Sequence, residues 1–213
     1  MNSDVLIKVR KLVKPEYKKI KNWAHGWEHI VHVVKFSKKL AEMENYDSVI
    51  CEIAAYCHDL GRIEEEKIHT EHAALSVKPT KEILEKVGIR GEKADLIIEA
   101  VAVHSQKDYF GENKAAKILR DADKKDCLSV FGILRMIRFD GDVEFNIPKE
   151  KDWDKTIKEL MPVALKNSRQ EILNSFKRRL EWLEENRIET ESGKKLLKPC
   201  FDYVLKIKKE FVD

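Results

Sequence analysis

His58 and Asp59 stand side by side at the end of the apolar run Ile53-Ala54-Ala55-Tyr56-Cys57. Burying an imidazole and a carboxylate without partners is costly, so such a pair is either satisfied by neighbours or holds a cation. Neighbouring residues of an α-helix point about 100° apart, so a ligand gripped by both side chains must lie between them, and a metal ion meets that requirement. Two further residues of matching chemistry sit at the edges of apolar stripes, His29 upstream and Asp123 downstream. Mixed imidazole and carboxylate donors suit manganese, iron, cobalt, nickel or zinc better than calcium, with magnesium a further candidate. Three or four such ligands leave coordination positions open. A cation so held lowers the pKa of its water from about 15.7 toward roughly 7 and polarises a phosphoryl oxygen, so hydrolysis of a phosphate ester by metal-bound hydroxide is the natural chemistry.

The elements that must position these residues read as helices. Strand signals are scarce and helical periodicity is common, which predicts an all-α bundle with additional C-terminal helices. Asp4 to Val13 predicts a short amphipathic helix, with Pro15 in the first turn of a second one carrying Tyr17 to Trp23. Trp27 to about Met43 predicts a helix with the stripe Ile30, Val33, Val34 and Phe36 to Leu40, and His25, His29 and His32 share a face if the turn begins early. Asp47 or Ser48 caps the next helix, whose last turn carries His58 and Asp59 and which Gly61 stops. The charged stretch Ile63 to Thr70 reads as a loop. Thr70 then caps a helix with His72 in its first turn, a kink or restart at Pro79 and a stop at Gly88. Glu92 to His104 is a further helix and Ser105 to Asn113 a loop. The run from Ala115 leads into Asp121, Asp123 and Asp126 and then the apolar Leu128 to Ile137. Asp140-Gly141-Asp142 marks a turn, one or two charged helices cover Trp153 to about Glu189, and a last one runs from Gly193 to Phe211.

The totals narrow the function classes. A chain of 213 residues, 43% hydrophobic and 37% charged, forms one sizeable core, and no linker-like stretch divides it. Forty-one Lys plus Arg against 38 Asp plus Glu leave a net charge of +3 with the signs interspersed, so no general nucleic-acid-binding surface is indicated. No run reaches the roughly 18 apolar residues of a membrane span and no signal peptide is evident, which predicts a cytoplasmic protein. Cys51, Cys57, Cys127 and Cys200 lack C-x-x-C spacing and read as reduced thiols.

Three stretches together carry a resemblance: His25-Gly-Trp-Glu-His29-Ile-Val-His32-Val, Cys57-His58-Asp59-Leu60-Gly61-Arg62 and Leu119-Arg120-Asp121-Ala122-Asp123-Lys124. In order and type they resemble the HD-domain superfamily of metal-dependent phosphohydrolases. Their small stand-alone bacterial and archaeal branch includes nucleotide pyrophosphatases acting on deoxynucleoside triphosphates. The resemblance covers about residues 24–142 and implies an all-helical core, with residues 150–213 a helical extension of a single domain over 1–213. It implies that His29, His58, Asp59 and Asp123 bind the metal and that Asp59 serves as base toward the attacking water. It matches His72 and His104 to places where members hold a second metal or contact substrate phosphates. Arg62, Lys124 and Lys125 are cations beside the motifs, suited to phosphate oxygens. Some nucleotidase members place a glutamate where this chain has Arg62.

The bland readings stand beside these. His25, His32 and His69 read as surface or hydrogen-bonded core histidines, Glu64 to Glu66 as a solvated loop, and the C-terminal apolar repeats as packing. Asp121 and Asp126 read as carboxylates that orient metal-bound histidines. The expectation is a metal-dependent phosphohydrolase acting on a nucleotide or related small phosphate ester, monomeric or homodimeric. The alternative is a module that binds a nucleotide as a signal without turning it over.

Overall fold

A computed structural model of the chain describes residues 2–20, 25–64, 71–129, 132 and 188–212. The expectations for Thr70, His69, Glu65, Glu66, the turn at 140–142 and the helices over 153–187 lie outside them. The described residues are helical, without a strand, as the periodicity predicts. Seven helices of ten residues or more follow in order: α1 Asn2–Tyr17, α2 Trp27–Met43, α3 Ser48–Cys57, α4 His72–Val87, α5 Glu92–Val103, α6 Lys114–Cys127 and α7 Glu191–Val212.

The centre of the bundle is α3, ten residues of which seven are buried, covered by α2, α5, α6 and α1. Asp47 starts α3 by accepting a hydrogen bond from Val49 N at 3.0 Å. Against it α2 buries Ile30, Val33, Val34, Leu40 and Ala41, a stripe at helical spacing that continues downward into His29, one turn before Val33. Asn113 joins α5 to α6: its Oδ1 accepts from Ala115 N and Ala116 N, while its Nδ2 donates to the Leu96 carbonyl and to Glu99. α7 lies against α6 and α2.

Two prolines are corrections to the sequence reading. α1 runs through Pro15 as one helix instead of breaking there, because Val9, Val13 and Tyr17 form one buried stripe that spans it. α4 likewise continues through Pro79 without a restart. There the Thr80 hydroxyl donates to the Ser76 carbonyl at 2.7 Å, next to the position where the proline has no N–H to give. α4 begins at His72 with Glu71 as its N-cap, and Gly88 ends it at φ 77, the left-handed stop expected of it.

Candidate metal centre

α3 ends at Cys57, one residue before the doublet, so His58 and Asp59 lie in the turn beyond it. Three successive tight turns follow, closed by Leu60 N to Cys57 O, Arg62 N to Asp59 O and Glu64 N to Gly61 O. Gly61 is a point of close approach and not the left-handed stop expected from the sequence. A Cβ there would collide with the His72 carbonyl and the Ser76 amide of α4. Ser76 completes the junction: its Oγ accepts from Gly61 N at 2.8 Å and lies 2.7 and 2.8 Å from the His58 and His72 carbonyl oxygens. The first turn of α4, with His72, is thereby fixed against the turn that carries the doublet.

The imidazoles are oriented from behind. His58 Nδ1 donates to the Ala55 carbonyl at 2.8 Å and His104 Nδ1 to the Val101 carbonyl at 2.8 Å, each reaching back three residues. His29 Nδ1 lies 2.7 Å from Asp126 Oδ2, and a carboxylate offers only lone pairs, so the nitrogen donates. With Nδ1 engaged behind, all three rings turn Nε2 forward. His29 Nε2 and His58 Nε2 face each other at 3.3 Å, and His72 Nε2 and His104 Nε2 at 3.0 Å.

Asp59 stands between these two pairs. Its Oδ2 is 3.7 Å from both His29 Nε2 and His58 Nε2, while its Oδ1 is 3.3 Å from His72 Nε2 and 3.6 Å from His104 Nε2. Asp123, from α6, brings Oδ1 to 3.4 Å from His29 Nε2. Donor atoms of His29, His58 and Asp123 lie within 4.8 Å of one another, as do those of His58, Asp59 and His104. The converging donors are imidazole nitrogens and carboxylate oxygens, so these residues fit a divalent metal.

Burial and charge agree with that use. Burial, aided by the neighbouring His104 and His29, drives the His58 imidazolium pKa down to about 3, with Asp59 opposing, so the ring is a neutral donor at ordinary pH. Burial pushes the Asp59 carboxyl upward, yet Arg62, His58 and His25 outweigh it and hold the group well below the usual carboxylate range. Asp123 follows the same pattern, burial raising it and His29 and His58 bringing it down below its ordinary value.

The structure thus brings together His29, His58, Asp59, Asp123, His72 and His104, all named from the sequence. Arg62 joins them, its Nε donating to Asp59 Oδ1 at 3.2 Å. Lys124 and Lys125 make different contacts. Lys124 is 3% exposed. Burial draws its ammonium below the ordinary range, against the opposing charge of Asp121. Lys125 Nζ donates to Cys200 Sγ at 2.8 Å and lies over the Phe36 ring. Two histidines read as bland take part. His25, in the turn before α2, lies 2.9 Å through Nδ1 from Asp59 Oδ2, and His32 Nδ1 lies 2.9 Å from Asp126 Oδ1. For His32 the available signal was its spacing to His29 on one face of α2, whereas His25 lies before that helix. Asp126 orients His29 as its position suggests, but Asp121 holds no histidine. It accepts instead from Glu189 N, Thr190 N and the Thr190 hydroxyl, and so secures the start of α7.

Comparison with known proteins agrees with this geometry. Residues 26–128 match the family model of the HD domain. The protein YpgQ of Bacillus subtilis is 30% identical over 122 residues, 55% of this chain and 58% of that protein, so the match spans little more than half the relative's length. Among solved structures, an HD-superfamily hydrolase from Bacillus thuringiensis superposes with a TM-score of 0.63 at 20% identity, covering 100% of this chain and 97% of that one. A predicted HD superfamily hydrolase from an uncultured Thermotogales bacterium gives 0.62 at 18%, covering 99% and 90%. YpgQ in complex with ADP gives 0.62 at 22%, covering 98% and 94%. At these identities the structures show a shared fold. Among the described residues no helix is long and apolar enough to cross a membrane. The family match falls on the segment that carries His29, His58, Asp59, His72, His104 and Asp123, so the likeness to the HD domain covers these donors.

Proposed function

We propose that the chain is a metal-dependent phosphohydrolase acting on a nucleotide or related small phosphate ester. The observation that supports this most directly is the Asp59 carboxylate, which turns one oxygen toward His29 and His58 and the other toward His72 and His104. His29, His58, Asp59 and Asp123 would hold one divalent cation, with manganese, iron, cobalt, nickel, zinc or magnesium as candidates. His72 and His104 would hold a second cation or the substrate phosphates. Such a cation, when bound, lowers the pKa of water and polarises a phosphoryl oxygen. The chain's own part is positional. Asp59, kept ionised by Arg62 and its histidine neighbours, is the base that takes the proton of an attacking water. Arg62, against the same Asp59 Oδ1 that faces His72 and His104, supplies positive charge where phosphate oxygens would gather. Lys125 would reach a phosphate only by leaving Cys200. The ADP in the YpgQ complex supports a nucleotide as the ligand class.

The test is turnover. Purified protein is incubated with each candidate metal and a panel of nucleotides, and released phosphate or pyrophosphate is measured against a His58→Ala, Asp59→Ala double variant. Release above that background is the expected result, and its absence across the panel sinks the catalytic reading. A second reading, nucleotide binding without turnover, draws on Arg62, which stands where some nucleotidase members carry a glutamate. Stoichiometric binding that survives long incubation would favour it, and multiple turnovers would eliminate it.

A further inference from the structure

Arg120 is a large side chain, 1% exposed, one turn before Asp123 on α6. Its guanidinium is spent on the end of a different helix. Nη1 lies 2.8 Å from the Val103 carbonyl, 3.3 Å from that of His104 and 2.6 Å from that of Gln106, and Nη2 lies 3.2 Å from that of Lys107. The Val103 and His104 carbonyls close the end of α5 and those of Gln106 and Lys107 belong to the loop beyond it, and a cation there also complements the negative end of the helix dipole. The remaining donor, Nε, binds Glu189 Oε1 at 3.2 Å in an ion pair buried on both sides. Asp121, the next residue on α6, holds the Glu189 and Thr190 amides in place.

The backbone that Arg120 gathers is the one that aims His104. The ring hangs from residue 104 and is fixed by its Nδ1 bond to the Val101 carbonyl, so its Nε2 meets His72 and Asp59 only if this turn stays seated. A planar fork of five N–H donors can bind four carbonyls and a carboxylate together, and a lysine ammonium with three donors cannot.

We propose that Arg120 is a positioning residue that sets His104 against His72 and Asp59. Glu189 braces it, so the segment leading into α7 takes part in shaping the site from 69 residues away in sequence. This rests on His104 belonging to the donor cluster, but neither on turnover nor on a bound metal.

The experiment uses the full chain, free of metal and labelled with ¹⁵N at its 7 histidines, in wild type and Arg120→Lys. The expected result is a displacement of the His104 ring resonances, with His72 following, while those of His25, His29 and His32 stay in place. Unchanged His104 resonances in a folded Arg120→Lys protein overturn the proposal, as does an equal displacement of all the histidines, which marks general loosening. Should Arg120→Lys fail to fold, Glu189→Gln carries the same test. It keeps a hydrogen-bond acceptor for Nε but removes the charge, and a smaller displacement confined to His104 and His72 is expected, with an unchanged spectrum counting against. No turnover is read, so a failed hydrolase assay and a failed positioning test are distinguishable.

Discussion

His29 Nε2 and His58 Nε2 meet at 3.3 Å, while the Nδ1 of each ring is engaged elsewhere, by Asp126 and by the Ala55 carbonyl. A cation between the two nitrogens would be held by both rings. Metal removal should therefore cost stability. A metal at a hundredfold excess over its Kd stabilises by about 2.7 kcal/mol. At about 2 to 4 °C per kcal/mol for a chain of this size, stripping it with a chelator should lower Tm by about 5 to 11 °C. Calorimetry before and after adding back manganese checks this, and His58→Ala should abolish the response.

Asp126 holds His29 and His32 at once, one oxygen to each Nδ1. Asn at this position offers one acceptor and one amide donor, so it can serve only one of the two rings in its present tautomer. Asp126→Asn should fold and should bind the metal about 10 to 100 times more weakly, the usual cost of losing a carboxylate behind a ligating histidine. Isothermal titration with the metal alone measures it, and an unchanged Kd would show that the His29 ring needs no such support.

Much of this cluster was legible because ionisable residues at the ends of apolar helical stripes are conspicuous in a sequence. His29 continues the buried stripe of α2, and His58 with Asp59 ends that of α3. What stayed hidden depends on contacts far apart in the chain. Asp121 resembles its neighbours Asp123 and Asp126, and only the return of residues 189 and 190 to α6 shows that it anchors backbone amides instead of an imidazole. His25 lies outside the helix whose periodicity was read, and its bond to Asp59 spans 34 residues. Pro15 and Pro79 argue locally for breaks, but the packing around each outweighs the local preference. Gly61 reads as a helix stop in sequence, and its use as a gap for α4 is visible only in three dimensions.

The buried imidazole of His58 makes the metal-free protein acid-sensitive. Its folded pKa of about 3 lies below the ordinary histidine value of 6.5, and burial is the main cause. Between these two values the unfolded chain binds more protons than the folded one, so stability rises with pH there. The contribution is fully present above pH 6.5 and is lost as pH falls toward about 3, with the depressed carboxyls of Asp59 and Asp123 adding to the loss at the acid end. Urea midpoints of chelator-treated protein should fall steadily between pH 6.5 and 4. In His58→Asn, which cannot be protonated at this site, the slope should be shallower, and parallel slopes would show that His58 is not the group responsible.

Gly61 links the doublet to the histidine of α4, and one methyl group tests the link. An added Cβ meets the His72 carbonyl and the Ser76 amide, both main-chain atoms of the first turns of α4, which cannot swing aside as a flexible side chain would. Either α4 moves away or the turn carrying His58 and Asp59 does. Both movements break the bond from Gly61 N to Ser76 Oγ and separate His72 from Asp59 Oδ1, now 3.3 Å apart. Overpacking of this kind typically costs about 1 to 3 kcal/mol, which lowers Tm by about 2 to 12 °C in a chain of this length. Gly61→Ala should therefore be less stable than wild type even without metal. Its weakened contact should also be local. The His72 ring resonances should shift, while those of His32, held from α2 and α6, should not. Wild-type stability in Gly61→Ala would mean that α4 can yield at no cost, and that the close approach is incidental to how the doublet is held.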